Sequence, residues 1–153
     1  MYTKIKELLQ EKNISYREFH HEPVRTSEEA AKVRGTNISA GAKAMILIAD
    51  GKPIMVVVPG DKKVNTKTLK QNLGIKDLKF ASPEEAKGIS GAEVGGIPPF
   101  GSFFDPPIPI YTTRNLLNND IIDFNAGDRS ISIEMKTKDW ENLVTPETGD
   151  YDI

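Results

Sequence analysis

Hydrophobic and polar residues alternate along this chain with two periods, and the two periods predict a mixture of helices and strands. Residues 43–49 and 53–58 are apolar without alternation and flank Asp50-Gly51, a pair typical of tight turns. This pattern predicts a hairpin whose two strands are buried on both faces at the centre of a sheet. Residues 130–135 instead alternate apolar with polar side chains, which predicts a strand with one solvent-exposed face.

The remaining elements follow from the same patterns and from residues that begin helices. Thr26 and Ser82 each precede a glutamate by three residues, as in a capping box, and predict helix starts. Helices are predicted near residues 3–12, 26–34, 65–73, 82–88, 113–117 and 137–143, and further strands near 15–20, 78–81, 108–112 and 121–126. This order indicates a mixed sheet in one α/β or α+β domain over residues 1–153, in which the tail 145–153 has no predicted place.

The composition narrows the chemistry that such a domain can perform. With 153 residues, of which 38% are hydrophobic and 27% charged, the chain can form one globular core. It has no cysteine, and its two histidines, His20 and His21, are adjacent. Disulfides, thiolate metal sites and cysteine nucleophiles are therefore excluded. We expect no metal and no cofactor, so the chemistry must use backbone groups, a lysine or the substrate itself.

Charge and hydropathy limit the partners. The formal net charge of −2 does not fit a protein that coats DNA, although it allows a local basic face. The candidates for such a face are Lys62, Lys63, Lys67, Lys70, Lys76 and Lys79. A solvated surface is the ordinary alternative for these lysines. No leader is visible and no apolar run approaches the roughly 20 residues that span a bilayer, so we expect a cytoplasmic protein that binds neither membrane nor DNA.

Three short segments are candidates for chemistry. Gly95-Gly96-Ile97-Pro98-Pro99 combines flexible glycines with rigid prolines, and such a loop can present backbone N–H groups to an oxyanion or a carbonyl. Lys43 stands at the start of an apolar strand, where it can hold a phosphate or a carbonyl. Gly127-Asp128-Arg129 joins two predicted strands and can contact ribose hydroxyls or phosphate. The ordinary alternatives are a rigid turn, a solvated lysine and a plain hairpin turn.

In their order along the chain, these landmarks resemble the YbaK and prolyl-tRNA-synthetase-associated editing domain family. The matching stretches cover nearly the whole chain and lie at residues 28–31, 41–47, 56–61, 93–101 and 126–133. The resemblance implies a single domain with a mixed, mostly antiparallel central sheet flanked by helices. It also implies hydrolysis of the ester bond between a wrong amino acid and its tRNA.

The resemblance also assigns roles to residues. Lys43 matches the lysine of the family's active-site pocket, and Gly95–Pro99 matches a loop whose backbone holds the aminoacyl group. The expected catalytic residues are Lys43, Gly95, Gly96 and Ile97. The expected substrate-binding residues are Pro99, Ala44, Gly127, Asp128 and Arg129. The resemblance implies no obligatory general base among the side chains, since a hydroxyl of the terminal tRNA ribose helps to position or activate water.

Two positions depart from the family pattern. Pro98 stands where serine or threonine is frequent, and Ala44 stands where threonine is frequent, so both lack a hydroxyl expected in the pocket. The identity of the accepted aminoacyl group is therefore open. Alanine or cysteine on the proline tRNA is the first expectation, and serine or threonine is the next.

We expect a free-standing trans-editing aminoacyl-tRNA deacylase that binds the acceptor end of tRNA, with a synthetase as a further partner left open. One alternative is a non-catalytic tRNA- or synthetase-binding module of the same fold, which would bind without hydrolysing the ester. Another is a hydrolase of small aminoacyl esters that are not attached to tRNA. Comparing aminoacylated tRNA with a free amino-acid ester separates this last reading from the first.

Overall fold

A computed structural model describes the whole chain, residues 1–153. The α-helices are α1 Tyr2–Glu11, α2 Ser27–Arg34, α3 Thr66–Leu73, α4 Pro83–Ser90, α5 Arg114–Leu117 and α6 Thr137–Val144. The strands are β1 Tyr16–His20, β2 Ala42–Ala49, β3 Lys52–Pro59, β4 Leu78–Phe80, β5 Ile110–Thr113, β6 Ile121–Asn125, β7 Ile131–Lys136 and β8 Glu147–Gly149. None of the helices is both long and apolar enough to cross a membrane.

The strands form two hydrogen-bonded sheets. Five strands make a mixed sheet in the order β4-β2-β3-β5-β8, in which β2 is antiparallel to β4 and β3, while β5 is parallel to β3 and β8. Three strands make an antiparallel sheet in the order β1-β7-β6. The expected mixed α/β fold is confirmed. Its strands divide between two sheets because β6 meets the edge of β2 only at one bridge, between Gly41 and Asp123.

The β2–β3 hairpin lies inside the five-stranded sheet, as its unbroken apolar pattern predicts. Val56, Val57 and Val58 are fully buried because both faces of β3 are covered. Val57 packs into a core of 21 buried residues shared with the three-stranded sheet, whereas Val56 and Val58 pack into a core of 7 buried residues that includes Leu69 of α3. The hairpin is thus the layer that separates the two cores.

The predicted helix starts depend on side-chain caps. At α4 the capping box is complete, because Ser82 Oγ accepts from the Glu85 N–H and the Glu85 carboxylate accepts from the Ser82 N–H. At α2, Thr26 Oγ1 accepts from the Glu29 N–H, but the Glu29 carboxylate accepts from the Arg25 N–H instead of the cap residue. Both caps fix where the chain enters a helix beside the edge of β2.

Two regions differ from the sequence-based expectation. Ser132 of β7 is fully buried, although the alternating pattern predicted a solvent-exposed face there. The Arg34 side chain covers it, and its Nε donates to Ser132 Oγ at 2.8 Å. The tail, which had no predicted place, adds β8 alongside β5 and buries Tyr151 in the smaller core.

Candidate functional site at the edge of β2

A cavity of about 260 Å³ opens beside β2, where the two sheets diverge. β4 pairs with this edge of β2 only at Leu47–Ala49, and β6 meets it only at Gly41. The stretch between them, Ala42–Ile46, pairs with β3 on one side, has no strand on the other side and lines the cavity. The space stays open because many of the lining side chains are small, namely Ala30, Ala31, Ala42, Ala44, Ala81 and Ala86.

Lys43 lies on the cavity wall and is half-buried. Its Nζ donates to the Lys62 carbonyl at 2.7 Å. Burial lowers the pKa of Lys43 from its ordinary value, the charge of Asp61 opposes that shift, and the charge of Lys63 reinforces it. A partly desolvated ammonium group interacts more strongly with an anion or a carbonyl than a fully solvated one does.

Gly95–Pro99 borders the cavity, and its backbone N–H groups are of two kinds. The Gly96 N–H donates to the Glu93 carbonyl at 2.8 Å and is therefore occupied. The N–H groups of Gly95 and Ile97 have no acceptor within the protein. Gly95 and Ile97 line the cavity, whereas Gly96 does not. Two backbone donors at the cavity wall are thus available to a ligand.

The end of this loop is anchored in the larger core. Trp140 is fully buried, and its indole Nε1 donates to the Pro99 carbonyl at 2.8 Å. The Phe100 N–H turns back to the Pro98 carbonyl, also at 2.8 Å. Neither proline lines the cavity, so substrate binding by Pro99 stays a prediction, while its structural contact is with Trp140.

The turn Gly127–Arg129 lies behind the loop. The Gly127 N–H donates to the Gly96 carbonyl at 2.9 Å, and Arg129 Nη2 lies 3.8 Å from Glu93 Oε2. These contacts join the turn to Gly96 of the loop and to Glu93, which precedes it. The turn therefore supports the loop, whether or not it contacts a substrate.

Asp128 is engaged within its own turn. Its Oδ1 accepts from the Ser130 hydroxyl at 2.6 Å and from the Ser130 N–H at 2.8 Å, and these bonds lower the pKa of Asp128 from its ordinary value. No residue of the turn lines the cavity. Of the predicted site residues, the cavity wall contains Lys43, Ala44, Gly95 and Ile97, and it does not contain Gly96, Pro99, Gly127, Asp128 and Arg129.

Arg34 and Asp123 form a buried ion pair in the cavity wall that the sequence patterns did not single out. Their side chains are 5% and 1% exposed, and Arg34 Nη1 lies 2.5 Å from Asp123 Oδ1. Burial lowers the pKa of Arg34, and the Asp123 charge opposes that shift. Asp123 Oδ2 is buried and has no hydrogen-bond partner. Because an unpaired buried acceptor is costly, this oxygen is a candidate to bind a donor that enters the cavity.

Asn125 connects the ion pair to the glycine loop. Its Oδ1 accepts from Arg34 Nη2 at 2.9 Å, and its Nδ2 donates to the Gly95 carbonyl. This bond fixes the orientation of the peptide that joins Gly95 to Gly96. That peptide lies between the two unpaired N–H groups of the loop, those of Gly95 and Ile97. The available sequence signal was the pair Asp123 and Asn125, two polar residues on one face of an otherwise apolar strand.

Two relatives in the comparisons with known proteins cover most of this chain. The multifunctional Ser/Thr-tRNA deacylase ProXp-y of Escherichia coli (strain K12) is 29% identical over 149 residues, which are 94% of this chain and 88% of that protein. The prolyl-tRNA editing protein ProX of Acetoanaerobium sticklandii is 29% identical over 140 residues, which are 89% of this chain and 85% of that protein.

The fold and the family follow from two further matches. The crystal structure of hypothetical protein APE2540 superposes with a TM-score of 0.88 at 26% identity and covers 98% of this chain and 99% of that one. The family model of the aminoacyl-tRNA editing domain matches residues 21–143. The chain therefore belongs to the aminoacyl-tRNA editing domain family, and the predicted enzyme class, an aminoacyl-tRNA deacylase, is confirmed.

Proposed function

We propose that the protein acts in trans on mischarged tRNA and hydrolyses the aminoacyl ester in the cavity beside β2. The observation that carries this proposal is the pair of unpaired N–H groups of Gly95 and Ile97 at the cavity wall. Buried backbone N–H groups are almost always paired, and Ile97 is only 7% exposed. Such donors are ready to receive the carbonyl oxygen of an ester.

In this mechanism the ester carbonyl accepts hydrogen bonds from the N–H groups of Gly95 and Ile97. Water adds to the carbonyl carbon, the two donors stabilise the negative charge that develops on the oxygen, and each is worth about 3 kcal/mol. The bond from carbon to the ribose oxygen then breaks, and that oxygen leaves with the proton that the added water loses. A neighbouring hydroxyl of the same ribose orients the attacking water.

Lys43 anchors the substrate in this proposal. Its ammonium group lies at the wall of the cavity and already binds one carbonyl oxygen, that of Lys62. A terminal phosphate or the ester carbonyl is the matching group on aminoacyl-tRNA. Lys43 lies outside the glycine loop, so its loss would weaken binding while the oxyanion donors remain.

The variant Lys43→Ala tests this anchor. A hydrogen bond to a charged group contributes about 1.5–3 kcal/mol, so kcat/KM for deacylation is expected to fall about 10- to 100-fold. Lys138→Ala, which removes an exposed lysine of α6, is the charge-matched control and is expected to leave kcat/KM unchanged. Equal activity of both variants would exclude Lys43 from the mechanism.

The cavity of about 260 Å³, with alanines in much of its wall, has room for a small aminoacyl group. Alanine or cysteine on the proline tRNA fits this space. A second candidate, serine or threonine, is favoured by one observation: the buried Asp123 Oδ2 lacks a donor, and a substrate hydroxyl would supply it. The relative ProXp-y carries Ser/Thr-tRNA in its name.

A deacylation panel distinguishes these substrates. Purified tRNAs charged with alanine, cysteine, serine and threonine are compared with correctly charged prolyl-tRNA, and at least one mischarged species is expected to be hydrolysed far above its spontaneous rate. Asp123→Asn is expected to lower the preference for serine over alanine, while Asp120→Asn, an exposed control, is expected to preserve it. Absence of hydrolysis together with intact tRNA binding would favour the non-catalytic binding module.

The non-catalytic alternative rested on two missing hydroxyls, at Pro98 and Ala44. Pro98 does not line the cavity. Ala44 does, but the oxyanion donors invoked here are backbone N–H groups, which neither substitution removes. A free amino-acid ester in the same panel tests the third reading, since hydrolysis of that ester at the rate of the charged tRNA would make tRNA dispensable.

A further inference from the structure

Phe80 is an aromatic residue at the rim of the cavity, and its side chain is partly exposed to solvent. It is 49% exposed and is the only aromatic residue among those that line the cavity. Its ring makes no aromatic or cation–π contact within the protein. About half of the Phe80 side chain is therefore free to contact a ligand at this rim.

The register of the sheet relates Phe80 to Lys43. Phe80 pairs directly with Leu47 across β2 and β4, so the two side chains stand on the same face of the sheet. Side chains of one strand share a face at every second residue, which puts Met45 and Lys43 on that face as well. Lys43 and Leu47 are four residues apart, about 13 Å along the strand. A single nucleotide held between two long side chains can span this interval.

Positive charge continues along the same face. α3 packs its Leu69 into the smaller core, which also contains Leu47. The exposed lysines of α3 and of the segments that flank it are Lys63, Lys67, Lys70 and Lys76, whereas Lys79 directly precedes Phe80 in β4 and points to the opposite face of the sheet. A basic surface beside an exposed aromatic ring is the combination that proteins use to bind single-stranded nucleic acid, because the ring stacks on a base and the cations contact phosphates.

We propose that Phe80 is the stacking platform for the terminal adenine of the tRNA acceptor end. This inference rests on the proposed function, since it assumes that the aminoacyl ester enters the cavity and that Lys43 holds the adjacent nucleotide. With the base on Phe80, the ribose that carries the ester lies between the aromatic ring and the loop amides of Gly95 and Ile97. Phe80 is then a binding and positioning residue and takes no part in bond breaking.

The test uses an uncharged acceptor-stem RNA helix whose terminal adenine is replaced by 2-aminopurine, a base whose fluorescence is quenched by stacking. Wild-type protein and Phe80→Tyr are expected to quench the signal, and Phe80→Ala is expected to abolish the quenching. Loss of one stacked base weakens binding by about 5- to 150-fold. Ile121→Ala, which shortens another exposed apolar side chain away from the cavity, is expected to behave as wild type.

Kinetics and folding controls complete the experiment. In deacylation assays Phe80→Ala is expected to raise KM while kcat changes little, and its thermal unfolding should match that of wild type because the ring is half-exposed. Quenching by Phe80→Ala equal to wild type, or RNA binding by wild type without quenching, would overturn the inference. Since the RNA probe is uncharged, a failure of deacylation would count against the proposed function alone and leave the base-stacking result standing.

Discussion

The segments Gly95–Pro99 and Gly127–Arg129 both begin with glycine and both have N–H groups without an acceptor, but only the first lines the cavity. In the turn, the Gly127 N–H is used by the Gly96 carbonyl, and Asp128 Oδ1 takes the Ser130 N–H. The N–H groups of Asp128 and Arg129 have no acceptor, as is true of those of Gly95 and Ile97 in the loop, but only the two loop residues line the cavity. Neither glycine content nor an unpaired backbone donor therefore identifies a binding loop alone; the donor must belong to a residue of the cavity wall.

The two segments also differ in their position relative to the cavity. A Cβ built on Gly96 would approach the backbone of Asp128 and Arg129 to 3.4 Å, so the turn is packed directly against the back of the loop. One segment faces the cavity and the other supports it. The substitutions below test that division of roles, and their expected effects decrease in size.

Gly95→Ala is expected to have the largest effect. Gly95 has a φ of 93°, so alanine there is strained, and relaxation of the loop would turn its free N–H away from the cavity. Loss of one oxyanion donor lowers kcat by about 100-fold or more. Gly51→Ala is the matched control, since Gly51 has a φ of 83° in the hairpin turn with no atom within 4 Å of the added Cβ. Equal kcat for the two variants would mean that the loop amides do not act in catalysis.

Asn125→Ala is expected to have an intermediate effect. It removes the donor to the Gly95 carbonyl and leaves the loop less well oriented, so we expect kcat to fall about 10-fold, as for loss of one hydrogen bond, with little change in KM. Asn125→Asp keeps the size but not the donor and should lose a similar amount. Asn115→Ala, which loses only exposed contacts to Asp152, serves as the control. A raised KM with unchanged kcat would contradict a positioning role.

Asp128→Ala is expected to have the smallest effect on activity. The turn should loosen without moving the donors, so kcat changes less than 3-fold and the free energy of unfolding drops by about 1 kcal/mol or less. The pKa of Asp128 is lowered in the folded protein, so its stabilisation is present above the unfolded pKa of about 3.9 and is lost as pH falls through the lower folded value. Urea unfolding at pH 7 and at pH 3 should show that the difference in the free energy of unfolding between wild type and variant becomes smaller at the lower pH. A large loss of kcat would instead make Asp128 a substrate contact.

Local signals in the sequence were sufficient for most of the fold. Ser82 and Glu85 formed the predicted capping box, and the unbroken apolar run of 53–58 correctly indicated a strand covered on both faces. The division into two sheets was not predictable from local patterns, because it depends on β6 meeting β2 at a single bridge between residues far apart in the chain. The buried Ser132 was missed for the same reason, since its cover comes from Arg34 of a distant helix.

Local sequence signals predicted only part of the candidate site. Lys43 and the Gly95–Pro99 loop could be found from their neighbours in sequence, and both border the cavity. The ion pair of Arg34 with Asp123 joins two elements 89 residues apart, and only the folded chain brings these charges together. Asp123 stood out as a charged residue in a mostly apolar strand, but no local pattern indicated that Arg34 is its partner.

The shortness of β4 has a consequence for the size of the opening. After Phe80 and Ala81, the Ser82 cap turns the chain into α4, and Pro83 has no N–H to offer a neighbouring strand. Continued antiparallel pairing would bring the third residue after Phe80 opposite Ala44 and would cover the open edge of β2 with a strand. The capping motif that starts α4 thus sets how wide the cavity opens at the edge of β2. Inserting a few strand-forming residues before Ser82 would narrow this opening without replacing any residue of the site.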